Sequence, residues 1–340
     1  MVKTRHSANK DAEPSQPPAT LPVASPAPTS DVPPHIRFPL LVLFSMGLSS
    51  LLYNFVSPFT AGDLAIVSNT LDNWTGIYAL LAWKAAKLGV GWYGGYDSSD
   101  ITAMTFLSHA PYLYFLTSFY TIRPSTAFAC MAIDLLAVWL PFYTLKVSSS
   151  IHSVKTPKGV AANRSVINDF GVQIATSLLG AGVYALVVLA SYSTWLPTYL
   201  VTHFDGIRDI SALHNKNFPF LAASFLPLGF AAKVFLFTPA TAAKPDRHDK
   251  EVAGFNPETA TLAETVWYNV WGYSKRTRVL IKRTVTLVAV VALQTSLQTY
   301  ITIEGAEAFG AVGWSSVWAL AATLTGAVFW YVTDVQGIDN

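Results

Sequence analysis

The sequence is poor in charged residues and in cysteine, and each shortage excludes a class of protein. Only 12% of its 340 residues are charged, about half the density usual in soluble globular proteins. So few charges cannot cover the surface of a soluble globule of this size. This excludes an ordinary soluble enzyme, a nucleic-acid-binding protein and a disordered chain. The single cysteine, Cys130, excludes an intrachain disulfide and a cysteine-based metal site.

The motifs of several well-known reaction classes are also missing. The sequence has no Walker A loop, no GxSxG, HExxH or dinucleotide-binding pattern, and no DDxxD cluster. We therefore expect neither ATP coupling nor magnesium-assisted diphosphate ionisation within this chain. We predict no cofactor and no metal site.

Apolar residues, in contrast, are abundant: 52% of the chain is hydrophobic and the mean hydropathy is +0.38. A stretch of about 20 apolar residues is long enough to cross a bilayer as a helix. Such stretches predict an all-α, polytopic transmembrane bundle whose main partner is the lipid bilayer. Seven of them are clear: 38–56, 101–121, 125–145, 171–192, 217–237, 284–304 and 310–333.

An eighth stretch, 76–95, has the right length but carries Lys84 and Lys87 near its middle. Each central lysine opposes insertion by roughly 2.5–3.5 kcal/mol, so the loop charges must decide whether it crosses. Lysine and arginine are concentrated in the loops 146–170 and 238–283, which the positive-inside rule places in the cytosol. The N-terminal tail is basic too, which favours a cytosolic N-terminus. With the tail and the loop 146–170 both in the cytosol, the number of spans between them must be even, so 76–95 is counted as the fourth. We predict eight helices with both ends cytosolic; the alternative is seven helices with an external tail.

The first 37 residues differ in composition from the rest. They hold eight of the 20 prolines, among Ser, Ala and Thr, and such a segment cannot bury enough apolar surface to become ordered. We predict a disordered cytosolic tail over 1–37, of which residues 1–35 are dispensable for folding, followed by a transmembrane domain over 38–340.

Ionisable groups inside apolar spans are the sharpest functional signal in the sequence. At about 1.5 Å per residue, Lys84, Lys87, His109 and Asp134 lie at similar depth near mid-membrane, and Gln294 is close to that level. A buried charge is tolerated when it is paired, so we predict an ion pair between Asp134 and Lys84 or Lys87. Such a cluster either only fixes helix packing or forms a polar ligand or catalytic site.

As a catalytic site, the cluster would use Asp134 as its acid, and His109, Lys84, Lys87 and Gln294 would bind the substrate. Asp97 and Asp100, which flank a cytosolic turn, are the next candidate acids, since a desolvated carboxyl group can protonate a substrate. They are equally compatible with ordinary turn residues, with Asp100 capping the following helix.

Three stretches carry a family resemblance: GDLAIVSNTLDNW (62–74), LAWKAAKLGVGWYGGY (81–96) and FYTIRPS (119–125). Over about residues 38–146 the chain resembles small multi-pass membrane proteins encoded in fungal indole-diterpene clusters of the paxilline type. This resemblance implies a role in secondary-metabolite biosynthesis at the endoplasmic reticulum. It assigns no catalytic residue.

On this reading the chain acts on a lipophilic prenylated intermediate, as a proton-initiated cyclase or as an accessory factor. Aromatic faces would then stabilise a carbocation. A second reading is a transporter or exporter of a small lipophilic metabolite. A third is a non-catalytic membrane scaffold. The expected partners are a hydrophobic small molecule and other membrane-bound biosynthetic enzymes, with no nucleic acid.

Overall fold

The structure is a computed structural model that describes residues 33–69, 74–146, 162–214 and 217–335. These ranges are helical and contain no β-strand, apart from the isolated bridges Ser68–Ile303 and Phe204–Ala306. The predicted all-α class is therefore confirmed for the described part of the chain. Most of the predicted tail, residues 1–32, lies outside the described residues.

The helices are named here in chain order. They are α1 (Pro34–Leu64), α2 (Trp74–Tyr93), α3 (Ser98–Phe119), α4 (Pro124–Leu145), α5 (Arg164–Asn168), α6 (Phe170–Ser193), α7 (Leu196–His203), α8 (Ser211–His214), α9 (Phe218–Ser224), α10 (Leu226–Ala232), α11 (Thr238–Ala242), α12 (Arg247–Ala253), α13 (Leu262–Trp271), α14 (Lys275–Thr302) and α15 (Ala308–Val335). A π-helical segment, Lys233–Phe237, joins α10 to α11 without a break.

Each of the eight predicted apolar stretches coincides with helical structure. Five helices, α1, α4, α6, α14 and α15, are long and apolar enough to cross a membrane. A sixth crossing is possible if α9 and the continuous segment Leu226–Ala242 form one span, although they are bent by 53° relative to each other. Helices α2 and α3 fall short on these criteria, so the predicted count of eight crossings is not confirmed.

Contacts between the connecting segments gather the helix termini at two ends of the bundle. We call one of them the hairpin end. There, Asn69 N donates to Thr302 O over 2.9 Å, and Arg208 N donates to Phe119 O over 2.9 Å. We call the other the basic end, and there Lys146 Nζ donates to Gly91 O over 3.0 Å. Successive long helices therefore run antiparallel between these two ends.

Helix α3 lies at the centre of the bundle, and this position explains its modest hydropathy. Much of its length is buried, and it packs against α4, α10 and α14. The backbone carbonyl of Pro111 within α3 accepts a hydrogen bond from Trp314 Nε1 over 3.1 Å. Because polar residues in membrane bundles face the interior rather than lipid, a central helix tolerates a more polar sequence than its neighbours.

A pair of glycines sets the closest approach of α6 to α10. A Cβ added at Gly180 would lie 3.1 Å from the Cα of Gly229, and one added at Gly229 would collide with the carbonyl oxygen of Ser177. Small residues at such crossings allow helix backbones to pack closely where lipid supplies no hydrophobic driving force.

Candidate functional site

A polar cluster lies in the middle of the bundle, where α1, α2, α3, α4 and α14 meet. The structure brings together all five side chains that similar depth in the sequence had singled out. Most of these residues are buried, with exposed fractions of 3% for Lys87, 7% for His109, 9% for Asp134 and 5% for Gln294. We call Lys84, Lys87, His109, Asp134 and Gln294 the mid-bundle cluster.

The ion pair within this cluster differs from the predicted one. His109 lies between the two charges: Lys87 Nζ is 2.6 Å from His109 Nε2, and His109 Nδ1 is 2.9 Å from Asp134 Oδ2. The prediction that Asp134 pairs directly with Lys84 or Lys87 was therefore wrong. Depth along a helix axis does not fix rotation about it, and α3 turns His109 into the space between α2 and α4.

These contacts assign the histidine tautomer. A lysine ammonium only donates, so His109 Nε2 accepts from Lys87 and the ring proton sits on Nδ1, facing the carboxylate of Asp134. With Lys87 protonated, a neutral imidazole thus lies between a cation and an anion, and its Nδ1 is 2.9 Å from Asp134 Oδ2.

Side chains without charge complete the cluster, and the sequence reasoning missed them. Tyr53 Oη on α1 donates to Asp134 Oδ2 over 3.2 Å. Lys84 Nζ donates to Ser49 Oγ over 2.7 Å. Trp83 Nε1 donates to Gln294 Oε1 over 2.8 Å. A tyrosine, a serine or a tryptophan in an apolar stretch is common, so nothing in the sequence distinguishes these three from their neighbours.

A cavity of about 160 Å³ lies beside the cluster and is lined by four of its members on α2, α3 and α4, and by Gln294, Gln298 and Thr302 on α14. Gln294 Nε2 donates to Gln298 Oε1 over 2.6 Å. Thr302 is the last residue of α14 and lies at the hairpin end, about 12 Å along the helix from Gln294. The cavity therefore extends from mid-bundle to the hairpin end along a polar wall.

Asp97 and Asp100 lie apart from this cluster, at the basic end. Asp97 Oδ1 accepts from Asp100 N over 2.8 Å and so caps α3. The prediction that Asp100 caps this helix was wrong. Asp100 instead lies in the first turn, where its two carboxylate oxygens accept from Arg283 Nη1 and Nη2 over 2.8 and 2.7 Å. These contacts tie α3 to α14. The catalytic and substrate-binding roles proposed above for all of these residues stay predictions.

A second charged group, the basic-end network, consists of Asp246, Asp249, Lys275 and Arg278. Together with His248, the two carboxylates could hold a metal ion by distance alone, since their ligand atoms lie within 4.8 Å of one another. However, Asp246 accepts from Lys275 Nζ over 3.1 Å and from Arg278 Nη2 over 2.9 Å. Desolvation opposes ionisation of Asp246, but these hydrogen bonds outweigh it and lower its pKa to about 2. We therefore assign the carboxylates to salt bridges.

The described residues form an all-helical bundle with a buried polar cluster, and five of its helices are long and apolar enough to cross a membrane. Within it, residues 169–332 match the family model described as the Bouquet formation protein 3 C-terminal domain. The match runs from α6 into α15 and covers slightly less than half of the chain. It includes Gln294 of the mid-bundle cluster but not the four ionisable members. No curated protein and no solved structure matches the chain.

This match corrects the function expected from the sequence. The resemblance to proteins of indole-diterpene clusters was wrong. The readings built on it were wrong as well: a cyclase or accessory factor of secondary metabolism, a metabolite exporter and a scaffold for biosynthetic enzymes. That resemblance came from about residues 38–146, whereas the segment that matches a family lies at 169–332. The five apolar helices are compatible with membrane association, but a location in the endoplasmic reticulum is not confirmed.

Proposed function

We propose that the chain is an integral membrane protein of the nuclear envelope that takes part in the meiotic bouquet, the arrangement in which telomeres gather at the envelope. The observation that carries the proposal is the match of residues 169–332 to the bouquet formation family. Three of the five helices that are long and apolar enough to cross a membrane, α6, α14 and α15, lie within or overlap that segment. A membrane-embedded domain of this kind suits a protein that acts at an envelope.

Imaging and depletion in the native cell test this role. A fluorescent fusion of the full chain should label the nuclear rim, and rapid depletion of the chain before meiosis should reduce telomere clustering at the envelope. Re-expression of the full chain should restore clustering. Normal telomere clustering after complete depletion, with the fusion absent from the nuclear rim, would contradict the proposal.

The structure also supports a particular topology, which we propose as eight membrane crossings. Helices α2 and α3 contain 20 and 22 residues, which at about 1.5 Å per residue span the roughly 30 Å of a bilayer core. They run between the same two ends as the five apolar helices. The basic end would face the cytosol or nucleoplasm because lysine and arginine are concentrated there. In the described residues these include Arg37, Lys146, Arg164, Lys244, Arg247, Lys250, Lys275, Arg276, Arg278, Lys282 and Arg283.

Cysteine labelling distinguishes eight crossings from six. In a Cys130→Ser background, the reporter Glu258→Cys marks the basic end and Ser125→Cys marks the hairpin end. The deciding reporter is Tyr93→Cys, at the exposed C-terminus of α2. If α2 and α3 cross the membrane, it is labelled from the same side as Glu258→Cys. Labelling from the same side as Ser125→Cys would show that α2 and α3 do not cross.

A further inference from the structure

We propose that the cavity beside the mid-bundle cluster binds a small monovalent anion, a halide or a short carboxylate, which enters from the hairpin end and is held by Lys84 and Lys87. The inference goes beyond the proposed function, since it concerns a ligand of the membrane domain itself. It rests on the charge balance of the cluster, on the shape of the cavity and on the polar path that leads to it.

The charges of the cluster do not balance. Lys87 and Asp134 are joined through His109, so these two opposite charges compensate each other. Lys84 adds a second cation, and the hydrogen-bond partner of its ammonium is the neutral hydroxyl of Ser49. Among the described side chains that line the cavity, Asp134 is the one carboxylate. With both lysines protonated, the cavity wall therefore carries one positive charge in excess.

An excess charge at this depth requires compensation. Lys84 is only partly exposed, and an ammonium that has lost much of its water is unfavourable without an anionic partner. Lys84 lines the cavity, and an ammonium has three donors, of which Ser49 takes one. An anion in the cavity would accept from the remaining donors and neutralise the excess.

The polar wall provides the route of entry. Gln294, Gln298 and Thr302 lie at intervals of four residues along α14, on one face of the helix. Thr302 Oγ1 donates to Tyr112 Oη over 3.0 Å at the outer limit of this wall. Groups that both donate and accept hydrogen bonds can replace the hydration of a small ion step by step along the path.

The dimensions of the cavity limit the ligand. A volume of about 160 Å³ is similar to that of an engineered cavity of roughly 150 Å³ that holds one benzene molecule. Chloride or acetate with a few waters fits this space, whereas a phospholipid head group with its glycerol does not. The lining also includes amide and hydroxyl groups, which keep such a cavity hydrated.

Anion-dependent thermal stability of the full chain tests the proposal. The protein is placed in nanodiscs of neutral phosphatidylcholine, and its Tm is followed by intrinsic fluorescence at constant ionic strength. Sodium chloride and sodium acetate, in separate titrations, replace sodium gluconate, whose polyol chain makes it much larger than either anion. Because a ligand that binds only the folded state stabilises it, we expect Tm to rise and then saturate with chloride, acetate or both.

Three variants make the test specific. Lys84→Met should weaken the apparent affinity for the anion by at least about tenfold. Lys282→Met, which removes an exposed lysine of α14 outside the cavity, should respond as the unmodified chain does. Gln298→Leu keeps both lysines but replaces an amide of the cavity wall that can donate to the anion with an apolar side chain, so it should weaken the response as well. If Lys84→Met does not fold, Gln298→Leu still tests the proposal.

Two results would overturn the proposal. One is a Tm that does not distinguish chloride and acetate from gluconate, which would mean that the cavity holds water alone. The other is an unchanged response in Gln298→Leu, or in folded Lys84→Met, which would mean that the anions act elsewhere on the protein.

Discussion

The mid-bundle cluster and the basic-end network use similar chemical groups in different surroundings. In the cluster, His109 and Asp134 meet with side-chain exposures of 9% and 12%. In the network, Lys275 and Asp246 meet with exposures of 40% and 33%. The cluster joins five helices in the middle of the bundle, whereas the network ties the start of α12 to the start of α14 at one end.

This difference determines what happens when one partner is removed. In the cluster, the remaining charge stays in an apolar environment and keeps its full desolvation penalty. In the network, water can replace the lost partner, and salt screens what remains. Similar distances between charged atoms therefore correspond to very different contributions to folding.

The largest effect is expected for Asp134→Asn. The substitution keeps the size of the side chain but removes the anion that faces His109 and Lys87, so the free energy of unfolding should fall by about 3–5 kcal/mol. Denaturant titration of the protein in mild detergent measures it. Glu258→Gln, an exposed carboxylate of the connecting segment before α13, is the matched control and should change little.

A double-mutant cycle sharpens this first prediction. Combining Asp134→Asn with Lys87→Met removes both charges that His109 joins, so the loss should be smaller than the sum of the two single losses by about 0.5–3 kcal/mol. Additive losses would show that the two charges are not coupled through His109.

A smaller but still large effect is expected for Arg283→Met. This arginine makes two hydrogen bonds with Asp100, whose exposed fraction is 2%. Asp100 would keep its charge without this partner, and the free energy of unfolding should fall by about 3 kcal/mol, near the lower end for buried pairs. The same denaturant titration measures the loss. Lys282→Met, which removes the neighbouring exposed lysine, is the control. A loss as small as that of the control would show that water can replace Arg283, as it can replace the partners in the basic-end network.

Much of the fold could be predicted from apolar stretches alone. The predicted span 125–145 corresponds to α4 (Pro124–Leu145), and 171–192 corresponds to α6 (Phe170–Ser193). The span 217–237 is bent by 53° in the structure, near Pro227 at the start of α10. Proline lacks the backbone N–H that would continue the hydrogen-bond ladder, but hydropathy does not reveal where a helix bends.

The sequence predicted which charged residues form the site better than it predicted which of them contact one another. Charge in an apolar stretch identified Lys84, Lys87, His109 and Asp134, because such residues are rare unless they face the interior. Which of them pair depends on the rotation of each helix, which follows from packing against all its neighbours. The cavity also needs the uncharged wall of α14, which lies more than 150 residues away from Asp134 in the sequence.

A pH-dependent effect is expected for the basic-end network. The pKa of Asp246 is lowered from 3.8 to about 2, so its ionised form favours the folded state. That contribution is fully present above pH 3.8 and is lost as the pH falls towards about 2. Between pH 7 and pH 3, Tm should therefore fall more for the unmodified chain than for Asp246→Asn. An equal fall in Tm for both proteins would show that Asp246 does not contribute to acid destabilisation. Glu251→Gln, which removes an exposed carboxylate, is the control and should behave as the unmodified chain does.

The smallest effect is expected at the hairpin end, for Arg123→Gln. Arg123 Nε lies 2.8 Å from Asp63 Oδ2, with good geometry, but the arginine side chain is 66% exposed. Thr126 Oγ1 also donates to Asp63, so the carboxylate keeps a partner after the substitution. Because water and salt screen an exposed pair, Tm should stay within error of the unmodified chain at both low and high salt. A loss as large as that of Arg283→Met would show that this end of the bundle is as dry as its centre. Burial would then no longer explain why the cluster and the network differ.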